Sequence, residues 1–330
     1  MPNKTGIAMD RNLALEAVRV TEATALAASR LMGCGDEQAA DHAALAAMEA
    51  TFNGLSVDGL VVIGETEDSP WLAEGSKVGS NPNGPKIEIA LDSIEGATPC
   101  AKGGPNALAV VALAGQGGFL RMPRIYMDKI AVGPGLPDNV VDLDETPAKN
   151  LASLALAKGV DVSDLLVCIL DRPRHNQLIA HVREAGARVM LIDDGDVSGA
   201  IAAGLAQTGV DMYLGSGGAR EGVLAAAALQ CLGGQMQGRL LFRNDDERTE
   251  AHQMGITDFS RLYDLRAMVG DNVMFAATGI TDGAMLRGVR RHRDTAITHS
   301  VVMRSKSRTV RYVEAHHDAH AKVGLDHLEL

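Results

Sequence analysis

Short apolar runs recur along the chain between stretches whose apolar positions fall three and four residues apart, the pattern of strands separated by helices. Near the N-terminus, Leu13, Val18 and Val20 predict a helix that Asp10 caps and that Gly33 ends at about Met32. A second helix should begin after Gly35, with Asp36 as its N-cap, and carry Asp41, Leu45 and Met48 as far as Asn53-Gly54. Leu60-Val-Val-Ile-Gly-Glu65 reads as a strand with Glu65 and Glu67 at its end, before a turn at Asp68-Ser-Pro70. Lys86-Ile-Glu-Ile-Ala-Leu-Asp92 reads as a second strand, followed by Glu95 and an exit through Gly96. Residues 107–113 form a third ahead of the glycine-rich Gly115-Gln-Gly-Gly118, and the run from Ile125 continues the sheet.

Later in the chain the rhythm is clearer. Strands predicted at 165–170, 188–192 and 211–214 run into Asp171-Arg-Pro-Arg-His175, Asp193-Asp-Gly-Asp196 and Gly215-Ser-Gly-Gly-Ala-Arg-Glu221. Helices fit at 148–158, 177–185, 198–207 and 221–232. This alternation predicts an α/β fold whose strand ends gather along one edge. Phe275-Ala-Ala-Thr-Gly279 is a late strand, and 298–304 with 309–315 read as a hairpin closed by Ser305-Lys-Ser-Arg308. His316, His317 and His320 read as an exposed tail. The Pro- and Asp-rich stretch 133–147 marks a boundary between two α/β halves, a metal-binding 1–140 and a substrate-binding 141–330.

With 330 residues and 46% hydrophobic composition the chain can bury a sizeable core, built from aliphatic residues because aromatics are only 3%. A net charge of -11 argues against a nucleic-acid binder, which needs a clustered basic surface. It leaves room for a small phosphorylated substrate, since a few local cations can reverse the potential inside one cleft. Cys34, Cys100, Cys168 and Cys231 lack metal or redox spacing, so buried free thiols in a reducing cytoplasm are expected. No apolar run is long enough to span a membrane.

Four acids then stand out: Asp41 near a helix start, Glu65 at one strand end, and Asp92 and Glu95 at another. Each has an ordinary explanation, in a helix dipole or a solvated turn. If they converge, a hard divalent cation such as Mg²⁺ or Mn²⁺ is the economical partner, because unpaired carboxylates repel. Arg172 and Arg174 flank Pro173, and paired guanidiniums suit phosphate oxygens. Asp194 and Asp196 serve either as acceptors for sugar hydroxyls or as helix caps. Tyr126 and Lys129 offer a hydroxyl and an ammonium. Gly215 to Gly218 resembles an anion-binding turn, without the Gly-Lys-Ser/Thr ending of a Walker A loop.

Taken in order, these motifs resemble the class II fructose-1,6-bisphosphatase family, whose bacterial members often also hydrolyse sedoheptulose 1,7-bisphosphate. The resemblance runs from about Asp10 to Ala315. It is carried by Gly35-Asp-Glu-Gln-Ala-Ala-Asp41, Val62-Ile-Gly-Glu65, Asp92-Ser-Ile-Glu-Gly96, Tyr126-Met-Asp-Lys129, Arg172-Pro-Arg-His175, Asp194-Gly-Asp196, Gly217-Gly-Ala-Arg-Glu221 and Phe275-Ala-Ala-Thr-Gly279. It implies the layered α/β sugar-phosphatase fold of the lithium-sensitive phosphatases, and metal-dependent hydrolysis of the C1 phosphate of a sugar bisphosphate. By position, Asp41, Glu65, Asp92, Glu95 and Glu221 resemble the metal ligands. Glu95, Gly96 and Ala97, with Tyr126, Arg172, Pro173, Arg174, Asp194, Gly195, Asp196 and Gly218, resemble the substrate contacts. The N-terminus lacks a basic, then apolar, then small-residue signal pattern, so a cytoplasmic protein is expected, and a homo-oligomer, dimer or tetramer, is expected as its assembly.

This chain departs from the family pattern in three places. The acidic motif usually reads Asp-Pro-x-Glu/Asp-Gly-Thr, whereas Ser93 stands for the proline and Ala97 for the threonine that helps position the attacking water. Thr98 follows one residue late. Glu37 replaces a lysine. Glu65, Asp92, Glu95 and position 97, with Thr98 as a substitute hydroxyl, are therefore the candidate catalytic positions.

Overall fold

The computed structural model describes residues 12–65, 69 and 71–318, so the cap at Asp10, Glu67, Asp68 and Pro70 of the expected turn, and His320 lie outside the described residues. In chain order the elements are α1 (Leu13–Ala28), α2 (Glu37–Asn53), β1 (Asp58–Ile63), β2 (Lys77–Val78), β3 (Lys86–Glu95), α3 (Ala97–Lys102), β4 (Leu108–Ala114) and β5 (Tyr126–Val132). Then come α4 (Pro147–Lys158), β6 (Leu166–Leu170), α5 (Asn176–Glu184), β7 (Arg188–Ile192), α6 (Asp196–Ala202), β8 (Met212–Gly218), α7 (Ala219–Leu232) and β9 (Gln235–Leu241). The chain closes with α8 (Asp245–Gln253), β10 (Leu262–Asp264), α9 (Leu265–Met268), β11 (Val273–Gly279), β12 (Arg290–His292), β13 (Thr295–Arg304) and β14 (Thr309–Asp318).

Contacts divide this chain into two units, both α/β as the strand–helix alternation predicts. The first takes the chain through Phe119, Asn272–Arg304 and the chain from Val310 on; the second takes Leu120–Asp271 and Ser305–Thr309. Residue 140, the boundary expected from composition, falls inside the second unit. The reason is pairing: β5 joins β8 and β9, while β11 to β13 return to the sheet begun by β1, β3 and β4.

The first unit's sheet runs β12-β13-β11-β4-β3-β1-β2, with β14 paired to β13. Neighbours are antiparallel except β1 and β3. Helix α1 packs on α2 and across β4, β11 and β13, with Leu45, Met48, Phe52, Ile89, Val111 and Met274 among the buried core. The helix stops at Ala28, earlier than Met32, where the Ser29 hydroxyl donates to the Leu26 carbonyl at 2.9 Å and Arg291 reaches the same carbonyl. Asp36 caps α2 as expected, accepting from the Ala39 N–H at 2.9 Å. His317 is not tail: it is buried in β14, its Nε2 2.8 Å from the Thr298 hydroxyl. His316 is exposed.

The second unit's sheet runs β10-β9-β5-β8-β6-β7. Strands β6, β7 and β8 are parallel, and β5 is antiparallel to β8. The C-terminal ends of β6, β7 and β8 therefore share an edge with the start of β5, where Tyr126 pairs with Gly218. A core of Ile130, Leu151, Leu154, Val167, Ile169 and Met212 lies against α4 and α5. Of the cysteines, Cys100, Cys168 and Cys231 are buried free thiols as expected, whereas Cys34 is exposed.

Candidate active site

Strand β3 carries the acidic motif of the first unit. It runs on to Glu95, past the expected end at Asp92, through a register shift: Asp92 faces Val110 and Glu95 faces Leu108. Three steps on β3 thus match two on β4, so one extra residue is accommodated as a bulge. In a regular strand positions three apart face opposite ways. Here the bulge returns Asp92 and Glu95 to the face shared by Val110 and Leu108, two residues apart on β4. Glu95 is buried and Asp92 half-buried.

Within the bulge Ser93 is fully buried, and its hydroxyl donates to Asp41 Oδ1 at 2.9 Å. Asp92 Oδ1 accepts from the Ile94 N–H at 3.1 Å. Gly96 then turns at φ +89°, a conformation glycine adopts without strain, and opens α3, a short helix that the sequence pattern did not reveal. Ala97 and Thr98 are its first two residues. A helix advances about 100° per residue, so the Thr98 hydroxyl leaves in a different direction from any group at position 97. Glu65 sits just past β1 and bridges to Ala73. Glu37 opens α2, exposed.

These donors are all carboxylates, the chemistry that hard divalent cations select. Among the described residues, however, no group of three or more His, Cys, Asp or Glu side chains is close enough to hold a metal ion. What the first unit builds is a pair on one strand face, with Asp41 tied to the intervening serine.

In the second unit the strand-end motifs assemble along the shared edge. Arg174 is locked in place: its Nε donates to the Ser216 hydroxyl at 3.0 Å and its NH2 to the Ser216 carbonyl at 2.7 Å. His175 supports that lock, accepting the Ser216 N–H on Nε2 at 2.9 Å, while Nδ1 lies 2.8 Å from the Leu170 carbonyl. That arrangement requires a neutral imidazole protonated on Nδ1. Burial holds its pKa below the ordinary value, against the opposing pull of the Leu170 bond. The guanidiniums of Arg174 and Arg243 lie 5.0 and 5.1 Å from the Tyr126 ring centroid. Arg172 is half-buried and reaches Asp194 at 3.8 Å.

Asp196, left open between helix cap and sugar acceptor, turns out to be the first residue of α6 and pairs with the buried ammonium of Lys129. Gly195 precedes it as the N-cap. Residues 215–218 are not an anion-binding turn: they run within β8, paired with β5 from Lys129 to Tyr126. Their lack of side chains serves close approach instead. A Cβ on Gly217 would stand 1.7 Å from Asp196 Oδ2, and one on Gly218 would stand 1.8 Å from Glu221 Oε2. Burial and the nearby Asp196 push the Glu221 carboxyl up, with Lys129 opposing them. A cavity of about 220 Å³ opens among Tyr126, Gly218, Arg220, Glu221 and Arg243.

The pattern reading missed Ser216, His175 and Arg243 as parts of this edge. Ser216 and His175 lay inside quoted motifs. Arg243 follows β9, whose residues are alternately half-buried and buried over Gln235–Leu241, an alternation that the run Gln-Met-Gln-Gly-Arg-Leu-Leu shows only in part.

Residues 11–317 match the family described as bacterial fructose-1,6-bisphosphatase, glpX-encoded. The chain is 41% identical over 335 residues to proteins of two Synechococcus strains, JA-3-3Ab and JA-2-3B'a(2-13), each named D-fructose 1,6-bisphosphatase class 2/sedoheptulose 1,7-bisphosphatase. It is also 41% identical over 324 residues to fructose-1,6-bisphosphatase 1 class 2 of Escherichia coli K12. Each alignment covers 94% of this chain and 96% of the relative.

Proposed function

This chain belongs to the bacterial, glpX-encoded fructose-1,6-bisphosphatase family, and from that premise we propose that it hydrolyses the C1 phosphate of fructose 1,6-bisphosphate, and of sedoheptulose 1,7-bisphosphate, in a metal-dependent reaction. The products are the remaining sugar phosphate and inorganic phosphate. One observation of the site carries this reading: an immobilised cation, Arg174 beside Tyr126, stands on the same sheet edge as the buried acceptor Asp196. A phosphate and a sugar hydroxyl, held together, are what those two groups recognise.

In the reaction a water oxygen bonds to phosphorus as the bond from phosphorus to the C1 oxygen breaks, and that oxygen leaves as the sugar hydroxyl after gaining a proton. Arg172 and Arg174, stiffened by Pro173, and Tyr126 bind the distal phosphate. Asp194 and Asp196, spaced by Gly195, accept from sugar hydroxyls, and Gly218 contributes its backbone at the same edge. Glu95 takes a hydrogen bond from the attacking water. Gly96 and position 97 lie against the scissile phosphate, with Thr98 the nearest hydroxyl in sequence. Asp41, Glu65, Asp92 and Glu95 are the residues of the first unit that would hold Mg²⁺ or Mn²⁺, which when bound would supply charge neutralisation at the phosphate, and Glu221 of the second unit offers the same donor chemistry.

We extend the same reading to a cytoplasmic dimer or tetramer. No helix among the described residues is long and apolar enough to cross a membrane.

The reaction site is tested by ³¹P NMR of fructose 1,6-bisphosphate during turnover. Loss of the C1 resonance with the C6 resonance retained is the expected result. Release from C6, or equal turnover of inositol 1-phosphate, would overturn the assignment.

A further inference from the structure

Lys129 is 1% exposed in the middle of β5, between Gly215 on β8 and Gly238 on β9. An ammonium buried alone is costly, and lysine is among the residues least often found inside. Two partners account for its place. Its Nζ forms an ion pair with Asp196 Oδ2 and donates to the Gly218 carbonyl at 2.8 Å. The peptide that follows Gly218 is held at its other end as well, since the Ala219 N–H donates to the Ile125 carbonyl at 2.9 Å.

The surroundings are cleared for this arrangement. A Cβ on Gly217 would fall 1.7 Å from Asp196 Oδ2 and 3.1 Å from Lys129 Nζ, and one on Gly222 would fall 3.4 Å from Lys129 Cδ. Stability alone does not call for such a pair, because well-packed apolar residues often replace a buried ion pair without loss. What an apolar replacement would not do is fix one carboxylate oxygen. Lys129 holds Oδ2, which fixes the orientation of the Asp196 carboxylate.

We propose that Lys129 is a positioning residue for the sugar, acting through Asp196 by fixing the carboxylate that accepts from the substrate's hydroxyls. This rests on the phosphatase reading, in which Asp196 contacts the sugar.

The test is a double-mutant cycle of Lys129→Met, Asp196→Asn and both together. Its readouts are fructose 6-phosphate binding by calorimetry without metal, and kcat and KM for fructose 1,6-bisphosphate. Each single variant should weaken fructose 6-phosphate binding about tenfold, the size of one lost hydrogen bond to a charged group. The double variant should match Asp196→Asn within about twofold, and KM should carry the change while kcat moves little. Multiplicative losses, or a Lys129→Met variant with a lower melting temperature and an unchanged KM, would overturn the inference. Should Lys129→Met alone fail to fold, the neutral double variant against Asp196→Asn still decides: a further tenfold loss counts against the proposal. A wild-type protein that neither binds fructose 6-phosphate nor releases phosphate overturns the functional reading, and this one with it. An active wild type with a multiplicative cycle overturns this one alone.

Discussion

Ser93 donates its hydroxyl proton to Asp41 Oδ1 at 2.9 Å, joining the bulge at the end of β3 to helix α2 across 52 residues of sequence. Proline, which the family pattern carries at this position, has no side-chain donor. Ser93→Ala should therefore cost about 1–2 kcal/mol in urea unfolding, since the hydroxyl is fully buried and its acceptor is a side-chain carboxylate. It should also weaken Mg²⁺ or Mn²⁺ binding, which the sole tryptophan can report: the Trp71 ring lies 5.4 Å from that of His42, beside Asp41. Unchanged stability and unchanged fluorescence titrations would show the bond to be idle.

Ala97 opens α3 directly after the acidic motif, half-buried and without an oxygen. Ala97→Thr should raise phosphate release from fructose 1,6-bisphosphate by about tenfold or more, within the range of a positioned proton acceptor. Equal turnover before and after the change would mean that position 97 does not limit the chemistry and that Thr98 or another group does its work.

Gly217 lies against Asp196 so closely that any side chain must displace the carboxylate. Gly217→Ala should destabilise the second unit by about 1–3 kcal/mol, the usual cost of overpacking, and raise KM. Thermal melting and initial rates check both. A variant of ordinary stability and KM would contradict the crowded geometry.

His175 must stay neutral to accept the Ser216 N–H, and burial lowers its pKa in the folded chain. The unfolded chain takes up this proton at about pH 6.5, and the folded chain only at lower pH. Stability from the site is therefore fully present above about pH 6.5 and is lost as pH falls toward the folded pKa. The urea midpoint should drop between pH 7.5 and pH 5.5, and His175→Gln should drop less. Equal drops would remove His175 from the account.

Much of this was legible from local pattern. The capped start of α2, the strands that end in Arg172-Pro-Arg-His175 and Asp193-Asp-Gly-Asp196, and the basic hairpin turn all carry their signals in a few residues. The rest was not. The bulge that aligns Asp92 with Glu95 depends on β4, a partner the strand's own sequence does not announce. The return of β11 to β13 to the first sheet is long-range pairing, so composition near residue 140 misplaced the division between units. The glycines of β8 looked like a phosphate turn because a glycine run before a helix usually is one, whereas here Asp196 and Glu221 fill the space their side chains would occupy. Lys129 reads as an ordinary lysine until that packing is seen. Helix α8, polar nearly throughout, has no apolar face from which to be predicted.

Bisphosphate hydrolysis is decided by phosphate release from fructose 1,6-bisphosphate, measured with Mg²⁺, with Mn²⁺ and with a chelator. One equivalent of phosphate per sugar is expected with at least one of the two metals, and none with the chelator. No release with either metal, from protein that still binds the sugar bisphosphate, would contradict it.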